Sequence, residues 1–314
     1  MRTLITGSLA FDSIMVFPDQ FKNHILPEQA HILNVCFLVP EMRREYGGCA
    51  GNIAYGLKLL GGEPVIMATA GADFADYSNR LADLNINAEH IKIIDDSYTA
   101  QAYITTDLDD NQIIAFHPGA MNFASHNKIT DAKDIGLGIL GPDGRDGMIE
   151  HAQQFVEAGI PFIFDPGQGL PMFNGEELIQ FIEQADYVIV NDYESKMLED
   201  KTGKSFEALA EKVKAFIVTL GGDGSHIYAN DECIKVPAAN INDALDPTGC
   251  GDAYRSGLLF GLANQMDWPT TGRIAALMGA IKIESKGPQN YSFVKAAFNE
   301  RFTRTFNDFS APLT

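Results

Sequence analysis

Asp246-Pro247-Thr248-Gly249-Cys250-Gly251-Asp252 leads straight into the apolar run Ala253-Tyr254-Arg255-Ser256-Gly257-Leu258-Leu259-Phe260. Two glycines around a small residue deliver a carboxylate to the start of an expected helix. The first turn of a helix has unpaired backbone N–H groups, so such a loop can seat a phosphate. Gly249, Cys250 and Gly251 would supply the amides, and Asp252 would stand beside whatever group the phosphate meets. An anion seat next to a candidate base is what phosphoryl transfer requires. The same residues also suit a Gly-rich turn closed by a capping aspartate. Taken alone, the segment does not choose between the two.

Elements must hold that loop in place, and the chain is long enough to supply them. With 314 residues, 46% hydrophobic and 21% charged, it fits one large α/β unit covering 1–314. A formal charge of −19 argues against nucleic-acid and anionic-membrane partners. Cys36, Cys49, Cys233 and Cys250 lack C-x-x-C spacing, which disfavours zinc and disulfide frameworks and points to a reducing cytoplasm. No stretch of 18 apolar residues occurs, the apolar start at Leu4-Ile5 is too short for a leader, and no H-E-x-x-H is present.

Strands are expected at Thr3–Ile5, Pro64–Thr69, Ile160–Phe164, Tyr187–Val190 and Phe216–Leu220. Helices are expected at Gly47–Leu60, Phe74–Leu84, Glu176–Gln184 and Tyr193–Thr202. Strands spaced by helices imply a mainly parallel sheet with helices on both faces, and binding residues then gather at the carboxyl ends of the strands. Two β-rich stretches, roughly 13–46 and 95–118, break this alternation. Phe17–Val39 reads as β-ribbon and loop. Asp109-Asp110-Asn111 within Tyr98–Phe116 marks a hairpin. Together they suggest a small sheet that covers the pocket.

Five segments line up in chain order: Gly7–Asp12, Gly47–Asn52, Asn191–Glu194, Thr219–Gly224 and Gly249–Asp252. In this order and spacing they resemble the ribokinase (phosphofructokinase-B) family of carbohydrate and nucleoside kinases. The resemblance runs from the first strand to Lys286-Gly287-Pro288-Gln289. It is closest to the bacterial adenosine-kinase-like branch, through Asp246-Pro247-Thr248 and Phe116-His117-Pro118-Gly119-Ala120-Met121. Pro247 departs from the family's usual Asp-Thr opening, so a hydroxyl contact there would fall to Thr248. The resemblance implies a three-layer α/β sandwich with a β lid, and transfer of the γ-phosphoryl group of ATP to a primary hydroxyl.

By that resemblance Asp252 is the general base. Asn191, Thr219, Gly221, Gly222 and Gly224 line the nucleotide, and Glu194 holds Mg²⁺ through water. K⁺ is implied near Asp246 and Ser285–Gly287. Asp12 would accept hydrogen bonds from ring hydroxyls, Asn52 would bond vicinal hydroxyls, and Gly47-Gly48 would let a ring come close to the backbone. A carboxylate plus an amide suits a polyol ring better than an acid or an amine.

Phe21, Ile25, Leu26, Ile32, Leu33, Val35, Phe37, Leu38 and Val39 are more apolar than a lid over a bare sugar requires. They suggest an aromatic base, or a homodimer through the lid. Phe116, with Phe11 and Met121, is a candidate for the base pocket. The acceptor expected is the 5′-hydroxyl of adenosine, with ribose or another furanose as the alternative. A nucleotide sensor on a retired kinase scaffold is disfavoured by the intact Asp252. Thr202-Gly203-Lys204-Ser205 follows a helix and lacks the upstream glycine of a P-loop.

Overall fold

Strands buried on two faces read as unbroken apolar runs, and strand geometry then sends alternate residues to opposite cores. The computed structural model, which describes residues 1–25, 35–109 and 111–313, shows this division along the central strands. Leu4, Val65, Leu140, Phe164, Val188 and Phe216 face one core, whereas Ile5, Ile66, Ile139, Ile163, Ile189 and Ile217 face the other.

The amino-terminal half contains β1 (Arg2–Thr6), β2 (Ala10–Val16), β3 (Glu41–Gly47), α1 (Cys49–Leu59), β4 (Glu63–Gly71), α2 (Ala75–Asp83), β5 (Asn87–Ile94), β6 (Ala100–Thr106) and β7 (Gln112–His117). It continues through β8 (Ile135–Leu140), α3 (Arg145–Ala158), β9 (Phe162–Phe164), α4 (Gly175–Gln184), β10 (Tyr187–Asn191), α5 (Asp192–Thr202), α6 (Phe206–Ala210) and β11 (Ala215–Thr219). The chain ends with β12 (Ser225–Ala229), β13 (Glu232–Val236), α7 (Cys250–Ala263), α8 (Trp268–Ile283) and α9 (Lys295–Thr305).

Nine strands form the main sheet in the order β13-β12-β11-β10-β9-β8-β1-β4-β5. The pairs from β11 through β5 are parallel, and β12 and β13 extend one edge as an antiparallel meander. Helices α3, α4, α5 and α6 cover one face, while α1, α2, α7, α8 and α9 cover the other. This is the expected α/β three-layer sandwich.

A second sheet, in the order β3-β2-β6-β7, forms the lid. Its strands lie elsewhere than Phe17–Val39: β2 leaves the main sheet directly after Gly7-Ser8-Leu9, and β3 begins only at Glu41. The described part of Phe17–Val39 is a short 3-10 turn at Phe21–Asn23 with loop around it, its prolines being poor ladder donors. Leu26, Ile32 and Leu33 lie outside the described residues, as does Asp110 in the β6–β7 turn. Asp107 organises that turn by accepting from the backbone N–H groups of Asp109 and Asn111, both at 2.9 Å.

Lid residues on adjacent strands share a face when they are register partners. Glu45, Asp12, Ala102 and Phe116 form one such row across all four strands, and Arg43, Ile14, Ile104 and Ile114 form the next on the same face.

Candidate active site

Helix α7 starts at Cys250 because Gly249 turns the chain with φ +80°, a left-handed conformation that favours glycine. A Cβ on Gly249 would also come within 2.8 Å of the Cβ of Pro288. The amides expected to hold a phosphate change in one respect. The N–H of Cys250 is spent on the carbonyl of Pro247 at 3.1 Å. Among the described residues, those of Gly249, Gly251 and Asp252 have no protein acceptor. The tight turn entering the helix claims the middle donor, and the amide of Asp252 joins the set. Burial pushes the Cys250 thiol up to about 11, so it remains protonated and serves as a small spacer.

Asp252 is half-buried, and burial pushes its carboxyl up to about 6; Asp165 and Asp12 push the same way, while Arg255 and Asn52 oppose them. The lid carboxylate of Asp12 adds its charge to that of Asp252, and the two are linked through Gly47, Tyr77, Gln289 and Asn52. Asp12 is likewise raised to about 6, by burial first and then by Glu45 and Asp246. No donor among the described residues bonds the Asp12 carboxylate, which leaves both its oxygens available.

Asn52 is placed differently from the expectation of free contact with hydroxyls. It is buried, at 6% exposure. Its Nδ2 donates to Asp252 Oδ2 at 2.8 Å, and its Oδ1 accepts from Gln289 Nε2 at 3.0 Å. Gln289 also donates to the Tyr77 hydroxyl at 2.7 Å, and Tyr77 donates to the carbonyl of Gly47 at 2.8 Å. Asn52 thus holds the Asp252 carboxylate, with one N–H and one lone pair left over.

Gly47 ends β3, where a Cβ would lie 2.5 Å from Asp12 Oδ2; at Gly48, with φ +84°, it would meet the backbone carbonyl of Ser8 at 2.5 Å. Both glycines therefore make room for the chain's own atoms, Gly47 for the carboxylate of Asp12. Phe116 projects from the face of the lid that carries Asp12 and is 52% exposed. Phe11 instead points away from that face and is buried beside Tyr46 and Tyr77. Three aromatics of the lid loop serve one another: Phe17, Phe21 and Phe37 cluster with ring centroids 4.8–5.8 Å apart, whereas Leu38 is exposed.

Arg255, one turn into α7, contacts Asp165 beyond β9 through two nitrogens, Nη2 at 2.6 Å from Oδ1 and Nε on Oδ2. The two-point geometry satisfies both charges where water is excluded. Asn191 and Glu194 close a capping box on α5: the Asn191 side chain accepts from Glu194 N–H at 2.7 Å, and Glu194 Oε2 accepts from Asn191 N–H at 2.8 Å. Oε1 of Glu194 stays outside this box, and burial together with Asp165 raises the carboxyl.

Thr219 ends β11, its hydroxyl 3.4 Å from the carbonyl of Val190. Gly221 and Gly222 face open space. Gly224 is required by packing, since a Cβ there would lie 2.1 Å from the carbonyl of Val236. All these residues sit at the carboxyl edge of the parallel strands.

The match to the pfkB family carbohydrate kinase model spans residues 10–295 and so contains both cleft carboxylates and the α7 loop. The chain belongs to the pfkB family of carbohydrate kinases. It is accordingly an ATP-dependent kinase. The nucleoside kinase of Methanocaldococcus jannaschii is 32% identical over 259 residues, covering 82% of this chain and 85% of that one. The nucleoside kinase of Burkholderia thailandensis in complex with inosine superimposes with a TM-score of 0.90 at 50% identity, over 99% of this chain and 100% of that one. Its complex with ADP-inosine gives 0.88 at 51%, over 99% and 98%.

Sequence reasoning did not single out Tyr77, Gln289 as a partner of Asn52, or the Arg255–Asp165 pair. Gln289 is 237 residues from Asn52, and Asp165 is 90 from Arg255. The one local signal was the charge of Arg255 inside an otherwise apolar helical run.

Proposed function

We propose that this kinase moves the γ-phosphoryl group of ATP to the 5′-hydroxyl of a purine ribonucleoside, adenosine foremost. The observation that carries the reading is the chain of contacts that joins Asp12 on the lid, through Gly47, Tyr77, Gln289 and Asn52, to Asp252 at the start of α7. Asp12, free of protein donors, would take hydrogen bonds from the ring hydroxyls. The adjacent apolar residues on the same lid face, Ile14, Ile104, Ile114 and Phe116, offer a surface for a planar base. The inosine complex of the Burkholderia relative supports a nucleoside as the acceptor.

Above a pH of about 6 the Asp252 carboxylate is ionised. It would accept the proton of the 5′-hydroxyl as the new oxygen–phosphorus bond forms and the bond to the ADP oxygen breaks. The amides of Gly249, Gly251 and Asp252, at the positive end of α7, would bind the γ-phosphoryl oxygens as their charge redistributes. Asn52 keeps the base aimed. The lid excludes water that would otherwise compete as acceptor.

A hydrated Mg²⁺ fits the Oε1 oxygen of Glu194, which stands outside the capping box: it is a hard ligand that could order a water on the ion. When bound, the ion offsets phosphate charge in this strongly acidic protein.

The test is one ADP-release assay with adenosine, inosine, guanosine, ribose and fructose as acceptors. A kcat/KM for adenosine or inosine well above that for ribose and fructose is expected. Preference for either free sugar would refute the nucleoside reading.

A further inference from the structure

Lys282, near the end of α8, has no exposed surface. Its Nζ donates to the carbonyls of Asp246 at 2.6 Å and Ser285 at 3.1 Å, and lies 3.9 Å from Asp246 Oδ1. Asp246 opens the stretch that ends in the phosphate-binding turn. Its carboxylate accepts from Thr248 N–H at 2.9 Å and from Gly287 N–H at 2.8 Å, with the Arg43 guanidinium 3.9 Å from Oδ2. Leu245 and Asp246 also donate their N–H groups to the carbonyl of Ile283, at 2.8 and 3.2 Å. One buried cation therefore ties the entrance of the α7 loop to the end of α8 and to the 285–287 segment.

The K⁺ implied by the family resemblance would need the same oxygens. Two carbonyls and a carboxylate suit a hard monovalent ion, but here each already accepts an N–H bond, and a second positive charge beside Lys282 and Arg43 would be repelled. The residues do not fit a free ion.

We propose that the Lys282 ammonium is a tethered replacement for a monovalent cation, and that it positions the 246–252 loop so that the kinase works without added K⁺. Lys282 touches neither acceptor nor phosphate in this scheme; it acts through the loop. The inference rests on phosphoryl transfer at that loop and is independent of which acceptor is used.

The test compares wild-type protein and Lys282→Ala in tetramethylammonium, potassium and ammonium buffers, reading ATP turnover and, separately, thermal stability. Wild type should give the same turnover and Tm in all three. Lys282→Ala leaves a space lined with unpaired oxygens. It should lose about 10²-fold in kcat in tetramethylammonium, the scale of a displaced catalytic loop, and recover both kcat and Tm in potassium or ammonium.

Lys282→Met, which fills the space without a charge, should lose activity and not recover. Activation or stabilisation of wild type by potassium would overturn the proposal. So would a Lys282→Ala protein that none of the ions restores in stability or turnover, or one that behaves as wild type. The Tm comparison needs no acceptor, so an error in the nucleoside assignment would leave it intact.

Discussion

The side-chain amide of Asn52, on α1, donates to the carboxylate of Asp252, on α7, at 2.8 Å across 200 residues of sequence. That bond favours the charged form of Asp252 and opposes the larger effect of burial. Asn52→Leu should therefore raise the Asp252 pKa and move the acid limb of the kcat/KM profile to higher pH. At a pH of about 6 the loss should approach tenfold, the scale of one charge-assisted hydrogen bond, and should shrink at alkaline pH. An unshifted limb would remove Asn52 from the control of the base.

Asp252→Asn should keep ATP binding and lower kcat by about 10²–10⁴-fold, the usual contribution of a general base. It should also stabilise the fold. Because burial raises the native carboxyl from 3.8 to about 6, the wild-type native state binds the proton more tightly than the unfolded chain does. Wild-type stability thus falls as pH rises between those values. The variant's advantage should be absent at low pH, grow across that window and persist above it. Denaturant titrations at several pH values, alongside isothermal titration with ATP, check both halves.

Gly249 and Gly251 should separate conformation from anion binding. Gly249→Ala meets Pro288 and a left-handed φ, so it should destabilise the protein by at least about 1 kcal/mol. Gly251→Ala meets only Nη1 of Arg255, at 2.9 Å, the guanidinium nitrogen left out of the pairing with Asp165. It should spare Tm and raise the KM for ATP. Equal Tm losses in the two variants would contradict this division.

Phe116→Ala should raise the KM for a nucleoside by about tenfold, the order of one lost base–aromatic stack, and leave that for ribose unchanged. Its 52% exposure predicts little change in Tm. A parallel loss for both acceptors would show that the ring does not face a base.

The alternation of apolar strands and helical segments made β1, β4, β9, β10 and β11 legible, because burial on two faces leaves a continuous apolar signature that requires no knowledge of partners, whereas β5, β8, β12 and β13 were missed. Gly249–Asp252 was legible for a related reason, since a left-handed turn feeding a helix depends on neighbours in sequence. The lid strands were harder. β2 and β3 are half-exposed, and their pairing partners come from distant segments, so Asp12 and Phe116 acquire a common face only through cross-strand register. The loop aromatics Phe21 and Phe37 looked available to a ligand in sequence and turned out to pack on Phe17 and on each other.

By itself the order of residues determined the α/β layering, the glycine turn and the carboxylate that follows it, all consequences of local conformation and periodic burial. Tertiary structure alone decided that Asn52 bonds the Asp252 carboxylate, that the Cys250 amide is already bonded while the Asp252 amide is free, and that Arg255 and Lys282 each neutralise an aspartate in the interior. Those outcomes depend on which groups meet after the chain has collapsed. Hydrogen bonds and buried charges reward such meetings by distance in space, to which separation along the chain is no guide.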